Sequence, residues 1–200
     1  NIGYDTLLAS QRIGRAGQVV AIEASPRSFA LLQRNLALNA ASVNVRAVNI
    51  AVAETPGRLD LYEIHDGNIG AATTLASRGG TRMASVEAAP LDEILTADEM
   101  QRLRLIKMDI EGAEPPILRH ILDRLAIYPP TMDIVVEASP QDDAAAWQDV
   151  FDRLGTAGFS AWAIDNEYEL DWYLRWRHPM ALRRLTTMPA RQQDILFTRR

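Results

Sequence analysis

Short runs of β-branched residues alternate with helical repeats along this chain, and this alternation limits the fold more than any other feature. Gln18–Glu23 (QVVAIE) is typical of a strand buried on both faces of a parallel sheet. Ser25 and Pro26 then provide an N-cap and a first-turn proline for a helix that ends near Asn39. Val43–Val48 is the next strand, so the pattern predicts a doubly wound α/β sheet.

The alternation continues in the second half of the chain, which favours one domain over residues 1–200. We expect a mostly parallel, Rossmann-like sheet whose last strand is antiparallel, and a further strand upstream of Asn1, because the chain opens inside a turn. The predicted helices are Thr6–Ile13, Glu114–Leu125 and Ala144–Leu154, and the predicted strands are Arg58–Ile64, Leu105–Ile110, Asp133–Glu137, Phe159–Ile164 and Asp194–Thr198.

Two irregular segments are candidates for covering a substrate. Asp66–Gly80 is rich in Gly, Asn, Thr and Ser, and a long loop in a compact domain is uncommon unless it is functional. Asn166–Gln193 holds aromatic residues and arginines, among them Trp172, Trp176 and Arg184, which could stack on a flat or anionic substrate. A surface helix packed on the sheet edge explains the second segment slightly better.

Composition excludes several classes of protein. The 200 residues contain no cysteine, which rules out disulfides and cysteine-based metal sites or nucleophiles. The formal net charge of −5 argues against a general nucleic-acid binder. We find no apolar run long enough to cross a bilayer and no signal peptide, so a cytoplasmic location is the expectation.

Polar residues end several of the predicted strands, where open parallel sheets bind their ligands. Acids at such an edge are costly unless something occupies them. Glu23 ends its strand about twenty residues after the Asn1–Tyr4 turn, a spacing suited to binding ribose hydroxyls in a nucleoside-containing cofactor, although a solvated carboxylate is the alternative. The other strand-end residues are Asn49, Asp109 and Glu137, with Glu111 just beyond.

Other chemistries find less support in the sequence. The glycine fingerprint of dinucleotide binding and the P-loop are both missing, which disfavours hydride and phosphoryl transfer. Asp109 and Glu137 could hold Mg²⁺, but a third ligand is not evident, and we predict no metal. The histidines lack metal-binding spacing, and His65 and His178 are minor candidates for a base.

Several segments in the same order resemble FkbM-type S-adenosylmethionine-dependent methyltransferases. The longest match is Ile106–Glu114 (IKMDIEGAE), which is similar to the family's I-K-I-D-V-E-G-A-E. Shorter matches are Asn1–Leu8 (NIGYDTLL), Ala21–Pro26 (AIEASP), Arg34–Asn39 (RNLALN), Ala51–Val52 and Pro90–Leu95 (PLDEIL). The resemblance fades beyond Glu137.

The resemblance implies an O-methyltransferase that uses S-adenosylmethionine and acts on a hydroxyl of a small molecule, sugar or secondary metabolite. The alternative is an inactive domain of the same fold that binds the cofactor or a partner. We expect a small-molecule acceptor, no nucleic acid and no membrane, and leave a homodimer open. The implied cofactor-binding residues are Asn1 and Gly3 for the methionine part, Tyr4 over the sulfonium, Glu23 beside Ala24 for the ribose, Asn49 and Ile50 for the adenine, and Asp109 for the amine.

Methyl transfer to an oxygen also needs a group that takes the hydroxyl proton. Asp109 and Glu111 follow the same strand, and we predict both as catalytic, with Glu111 facing the acceptor. For Glu111 an equally good alternative is that it stabilises the start of the next helix through the helix dipole, and for Glu114 that structural role is the better explanation.

Overall fold

The computed structural model describes residues 1–39, 43–63, 72–75, 80–165 and 182–200. These residues form two compact units, Asn1–Glu99 and Met100–Arg200. Each unit has its own sheets and helices, and the organisation as one domain stays a prediction. No helix in the described ranges is long and apolar enough to cross a membrane.

The first unit begins with the predicted alternation of helices and strands. Its elements are α1 (Tyr4–Ile13), β1 (Val19–Ile22), α2 (Pro26–Ala37) and β2 (Val45–Val48). Strands β1 and β2 are parallel, with Ala21 opposite Ala47. Ser25 caps α2 as predicted, because its hydroxyl accepts the Ser28 N–H at 3.3 Å and Pro26 occupies the first turn.

A four-stranded sheet completes the strands of the first unit, and only one of its strands was predicted. It consists of β3 (Ala51–Val52), β4 (Gly57–Glu63), β5 (Ala72–Thr73) and β6 (Thr81–Ala89), in the order β3-β6-β4-β5. Only the β3–β6 pair is parallel. The buried face holds Ala51, Leu61, Val86 and Ala88, and the short helices α3 (Leu91–Ile94) and α4 (Ala97–Gln101) follow.

The second unit contains a five-stranded sheet in the order β10-β9-β11-β8-β7. Its elements are β7 (Leu105–Met108), α5 (Glu114–Asp123), β8 (Asp133–Ala138), α6 (Ala144–Thr156), β9 (Ser160–Ile164), β10 (Arg183–Leu185) and β11 (Gln193–Thr198). Strands β7 and β8 are parallel. Strand β11 is antiparallel to both of its neighbours, as predicted for the last strand.

The core of the second unit follows from the spacing of its apolar residues. Ile134, Val136 and Ala138 alternate along β8 and are buried, as expected for one face of a strand. Helix α6 buries Trp147, Val150 and Leu154 at helical spacing. Each large apolar side chain buried in this way contributes about 1.5–3 kcal/mol to folding.

The predicted covering segments lie largely outside the described residues, which exclude 64–71, 76–79 and 166–181. His65, Trp172, Trp176 and His178 therefore have no structural account. The described parts are less irregular than predicted, because residues 72–73 form β5, and Arg183 and Arg184 lie on β10, which pairs with β9. These positions belong to sheets, where backbone pairing fixes them. The role of these segments in covering a substrate stays a prediction.

Candidate functional site

Glu23 lies directly after β1, and its carboxylate is held from two sides. Oε1 accepts the Ser25 N–H at 2.7 Å, and the terminal amino group of Asn1 contacts Oε2. The Glu23 N–H itself donates to the Val48 oxygen at 3.0 Å, which continues the pairing of β1 with β2. The side chain is only 14% exposed. The direction of this acid is therefore fixed by the fold.

Asn49 follows β2 and holds the same loop from the neighbouring strand. Its Nδ2 donates to the main-chain oxygens of Glu23 at 2.7 Å and of Ala24 at 3.1 Å. These bonds give Asn49 a part in positioning Glu23, and no local sequence pattern predicts them. The predicted role of Asn49 and Ile50 beside an adenine stays a prediction.

Gly3 starts α1 with a conformation that favours glycine. Its φ is +107°, and a Cβ built there would lie 2.8 Å from Leu32 Cδ1. Gly3 provides no side-chain cap, so the first turn of α1 lacks that acceptor. Tyr4 is 77% exposed. The structure thus brings Asn1, Gly3, Glu23, Ala24 and Asn49 together in the first unit.

In the second unit, Asp109 stands at the carboxyl end of β7. Its Oδ2 lies 3.4 Å from Lys107 Nζ, in an exposed ion pair. Met108 pairs with Val136, so Asp109 and Glu137 occupy the next positions on two parallel strands. Glu23 and Asp109 belong to different units, and their convergence at one edge stays a prediction.

The turn after Asp109 has an unusual backbone. Glu111 has φ +58° and Gly112 has φ +98°, and Glu111 is the one non-glycine residue with positive φ in the described part of the chain. Such a conformation costs a residue with a Cβ about 1–2 kcal/mol. Backbone strain of this kind is concentrated at functional sites. It supports Glu111 as a candidate site residue, and the catalytic role of Glu111 stays a prediction.

Glu114 is the most deeply buried acid in the described residues. It is 1% exposed, and its Oε1 accepts the Ile110 N–H at 2.9 Å. Its Oε2 has no hydrogen-bond partner among the residues that the structure describes. Burial raises the pKa of Glu114, the Ile110 N–H opposes that rise, and the charge of Asp109 adds to it. The sequence placed Glu114 at the start of α5 correctly, but it did not reveal this contact.

We find no group of three or more metal-ligating side chains in the described ranges.

The sheets and helices place the chain among mixed α/β proteins of the Rossmann-like class. A crystal structure of methyltransferase FkbM from Methylobacillus flagellatus KT has a similar fold, with a TM-score of 0.54 and 14% identity over 98% of this chain and 40% of that one. The family model of the methyltransferase FkbM domain matches residues 1–161 of this chain. The chain therefore belongs to this family. The resemblance seen in the sequence is thereby confirmed.

A curated relative supports the same family. Methyltransferase sdnD from Sordaria araneosa is 27% identical to this chain, over 60% of the chain and 57% of that protein. The chain therefore spans little more than half the length of this relative.

Proposed function

We propose that the chain is an S-adenosylmethionine-dependent methyltransferase that acts on a hydroxyl group of a small molecule, a sugar or a secondary metabolite. The observation that carries the proposal is the position of Glu23 directly after β1, where the Ser25 N–H bonds to its carboxylate and Asn49 bonds to its main-chain oxygen. An acid at this position of a Rossmann-like sheet is suited to accept hydrogen bonds from ribose hydroxyls.

The residues of the first unit fit such a cofactor. Each oxygen of Glu23 has one contact among the described residues, and a carboxylate oxygen can accept two hydrogen bonds. Gly3 leaves the N–H groups at the start of α1 without a side-chain cap, and these groups favour a carboxylate such as that of a methionine moiety. Tyr4 is exposed beside them, and an aromatic face attracts a cation.

When bound, S-adenosylmethionine supplies a methyl group on a positively charged sulfur. In the proposed roles, Asp109 holds the amine of the cofactor and Glu111 accepts the proton that the acceptor hydroxyl loses. The protein's main contribution is alignment, because in-line displacement depends on the direction of approach. The turn after β7 suits this role, since it carries both carboxylates within three residues of each other.

The test is methyl transfer from methyl-labelled S-adenosylmethionine to a panel of sugars and hydroxylated small molecules, read by mass spectrometry. We expect one or more acceptors to gain a methyl group. Glu111→Gln should lose about a hundredfold in rate while keeping its affinity for S-adenosylhomocysteine, because general bases typically contribute about 10²–10⁴-fold. Binding without transfer to any acceptor would favour the inactive alternative. Failure to bind the cofactor would refute the proposal and leave only an inactive domain that binds a partner.

A further inference from the structure

The turn between β7 and α5 is held from inside the protein by Glu114. The carboxyl group of this first residue of α5 reaches back four positions to the Ile110 N–H, at 2.9 Å from nitrogen to Oε1. The bond closes a ring around Glu111 and Gly112. No side chain caps the start of α5, and the Glu114 carboxyl group links the helix to the preceding turn at Ile110.

The turn needs such an anchor because its own backbone conformation is unfavourable. Glu111 and Gly112 both have positive φ, and a strained conformation persists only where surrounding contacts determine it. Asp109 is exposed just before the turn, and Glu111 is half-buried within it. A change in the backbone at Ile110 would redirect both carboxylates.

A buried carboxyl group without a cationic partner is costly as an anion. Burial and the charge of Asp109 raise the pKa of Glu114 in the same direction, which favours the neutral acid. The two acids then differ in environment, because Asp109 is exposed while burial raises the pKa of Glu114, and environments that separate acids in this way are typical of active sites.

We propose that Glu114 is a positioning residue, which fixes the Asp109–Gly112 turn through its bond to the Ile110 N–H and so sets the directions of the Asp109 and Glu111 carboxylates. The catalytic part of this inference rests on the proposed function. The structural part, that Glu114 holds the turn, does not.

Three variants and one control separate positioning from general stability. Glu114→Gln keeps an acceptor oxygen at the same distance along the side chain, Glu114→Asp withdraws the carboxyl group by one methylene, and Glu114→Ala removes the acceptor. Leu118→Ala is the matched control, because Leu118 is fully buried one turn further along α5 and does not contact the turn through a polar atom. All variants are compared well below their melting temperatures.

Hydrogen exchange of the Ile110 amide, measured by NMR, is the first readout. We expect its protection to fall at least about tenfold in Glu114→Ala and Glu114→Asp, the equivalent of one hydrogen bond, and to be largely kept in Glu114→Gln and Leu118→Ala. Unchanged protection in Glu114→Ala, or an equal loss in Leu118→Ala, would overturn the proposal. This readout needs no enzymatic activity, so it stands even if the proposed function fails.

The rate of methyl transfer is the second readout. We expect kcat to fall about tenfold or more in Glu114→Ala and Glu114→Asp, to recover in Glu114→Gln, and to change little in Leu118→Ala. Lost protection at Ile110 with unchanged kcat would show a purely structural anchor and overturn the positioning role. If the wild-type protein transfers no methyl group, the proposed function is refuted. Hydrogen exchange of the Ile110 amide then still tests whether Glu114 holds the turn.

Discussion

The side-chain amide of Asn49 donates to the main-chain oxygen of Glu23 across the parallel pair of strands β1 and β2, at 2.7 Å. The same nitrogen lies 3.1 Å from the oxygen of Ala24. Asn49 is exposed, yet it connects the carboxyl ends of two neighbouring strands at the position where the proposed ribose-binding acid stands. Asn49 therefore helps to position Glu23, although it is itself exposed.

Replacing Asn49 with alanine should weaken cofactor binding. We expect the dissociation constant for S-adenosylhomocysteine to rise about three- to tenfold in isothermal titration calorimetry, because the loop that directs Glu23 loses its tether. Gln148→Ala is the control, since it also removes an exposed amide, whose described bond is to Asp152 on α6. Equal affinities for Asn49→Ala and the wild type would contradict this role.

Glu99 provides a test of the stability of the first unit. Its Oε1 accepts Arg46 Nε and its Oε2 accepts Arg46 Nη2, both at 2.7 Å, while the Thr96 N–H donates to Oε2 at 2.9 Å. The Glu99 N–H returns a bond to Thr96 Oγ1, which completes a capping box at the start of α4. The hydrogen bonds from Arg46 lower the pKa of Glu99 despite its burial.

Glu99→Gln should lower the free energy of unfolding at pH 7 by about 2–3 kcal/mol, because it leaves a half-buried guanidinium without its counter-charge. A lowered pKa in the folded state gives stability that is present above the ordinary value of 4.5 and lost as the pH falls through the folded-state value. Urea titrations should therefore show the difference between the two proteins shrink below about pH 4.5. A difference that stays constant down to pH 2 would contradict the ion pair. The control is Asp60→Asn, in an exposed pair with Arg82, which should change the free energy of unfolding little.

Glu111→Gly should raise the free energy of unfolding and lower the rate of methyl transfer. Glycine adopts positive φ without the Cβ penalty, and after its larger unfolded-state entropy is subtracted we expect a gain of about 0.5–1 kcal/mol in urea unfolding. Under the proposed function the same change removes the group that accepts the hydroxyl proton. Glu54→Gly, at an exposed position outside the positive-φ region, should give no such gain. A loss of stability in Glu111→Gly would contradict the strain at this residue.

Local chemistry made much of the fold predictable. Ser25 followed by Pro26 marked the start of α2, and the prolines at 115 and 116 marked the first turn of α5, because both signals depend only on neighbouring residues. The sheet β3-β6-β4-β5 was largely missed. Strand β6 (TRMASVEAA) is rich in alanine, which has little preference for strands, and its pairing with β4 joins residues far apart in the chain.

The candidate site shows the same division. The identity of its acids followed from their positions at strand ends, as with Glu23 after β1 and Asp109 after β7. Their supports did not follow, because the bond from Asn49 to Glu23 spans 26 positions and the burial of Glu114 depends on how α5 packs. Such contacts are long-range properties of the packed chain, and no local pattern encodes them.

The claim on which the account depends is that Glu23 binds the ribose of S-adenosylmethionine. Isothermal titration calorimetry of S-adenosylhomocysteine into the wild type, Glu23→Gln and the exposed control Glu87→Gln measures it directly. We predict binding by the wild type and Glu87→Gln. The affinity of Glu23→Gln should be about 10- to 100-fold weaker, because this variant loses hydrogen bonds to a charged acceptor. Equal affinities for Glu23→Gln and the wild type, or no binding by the wild type, would contradict it.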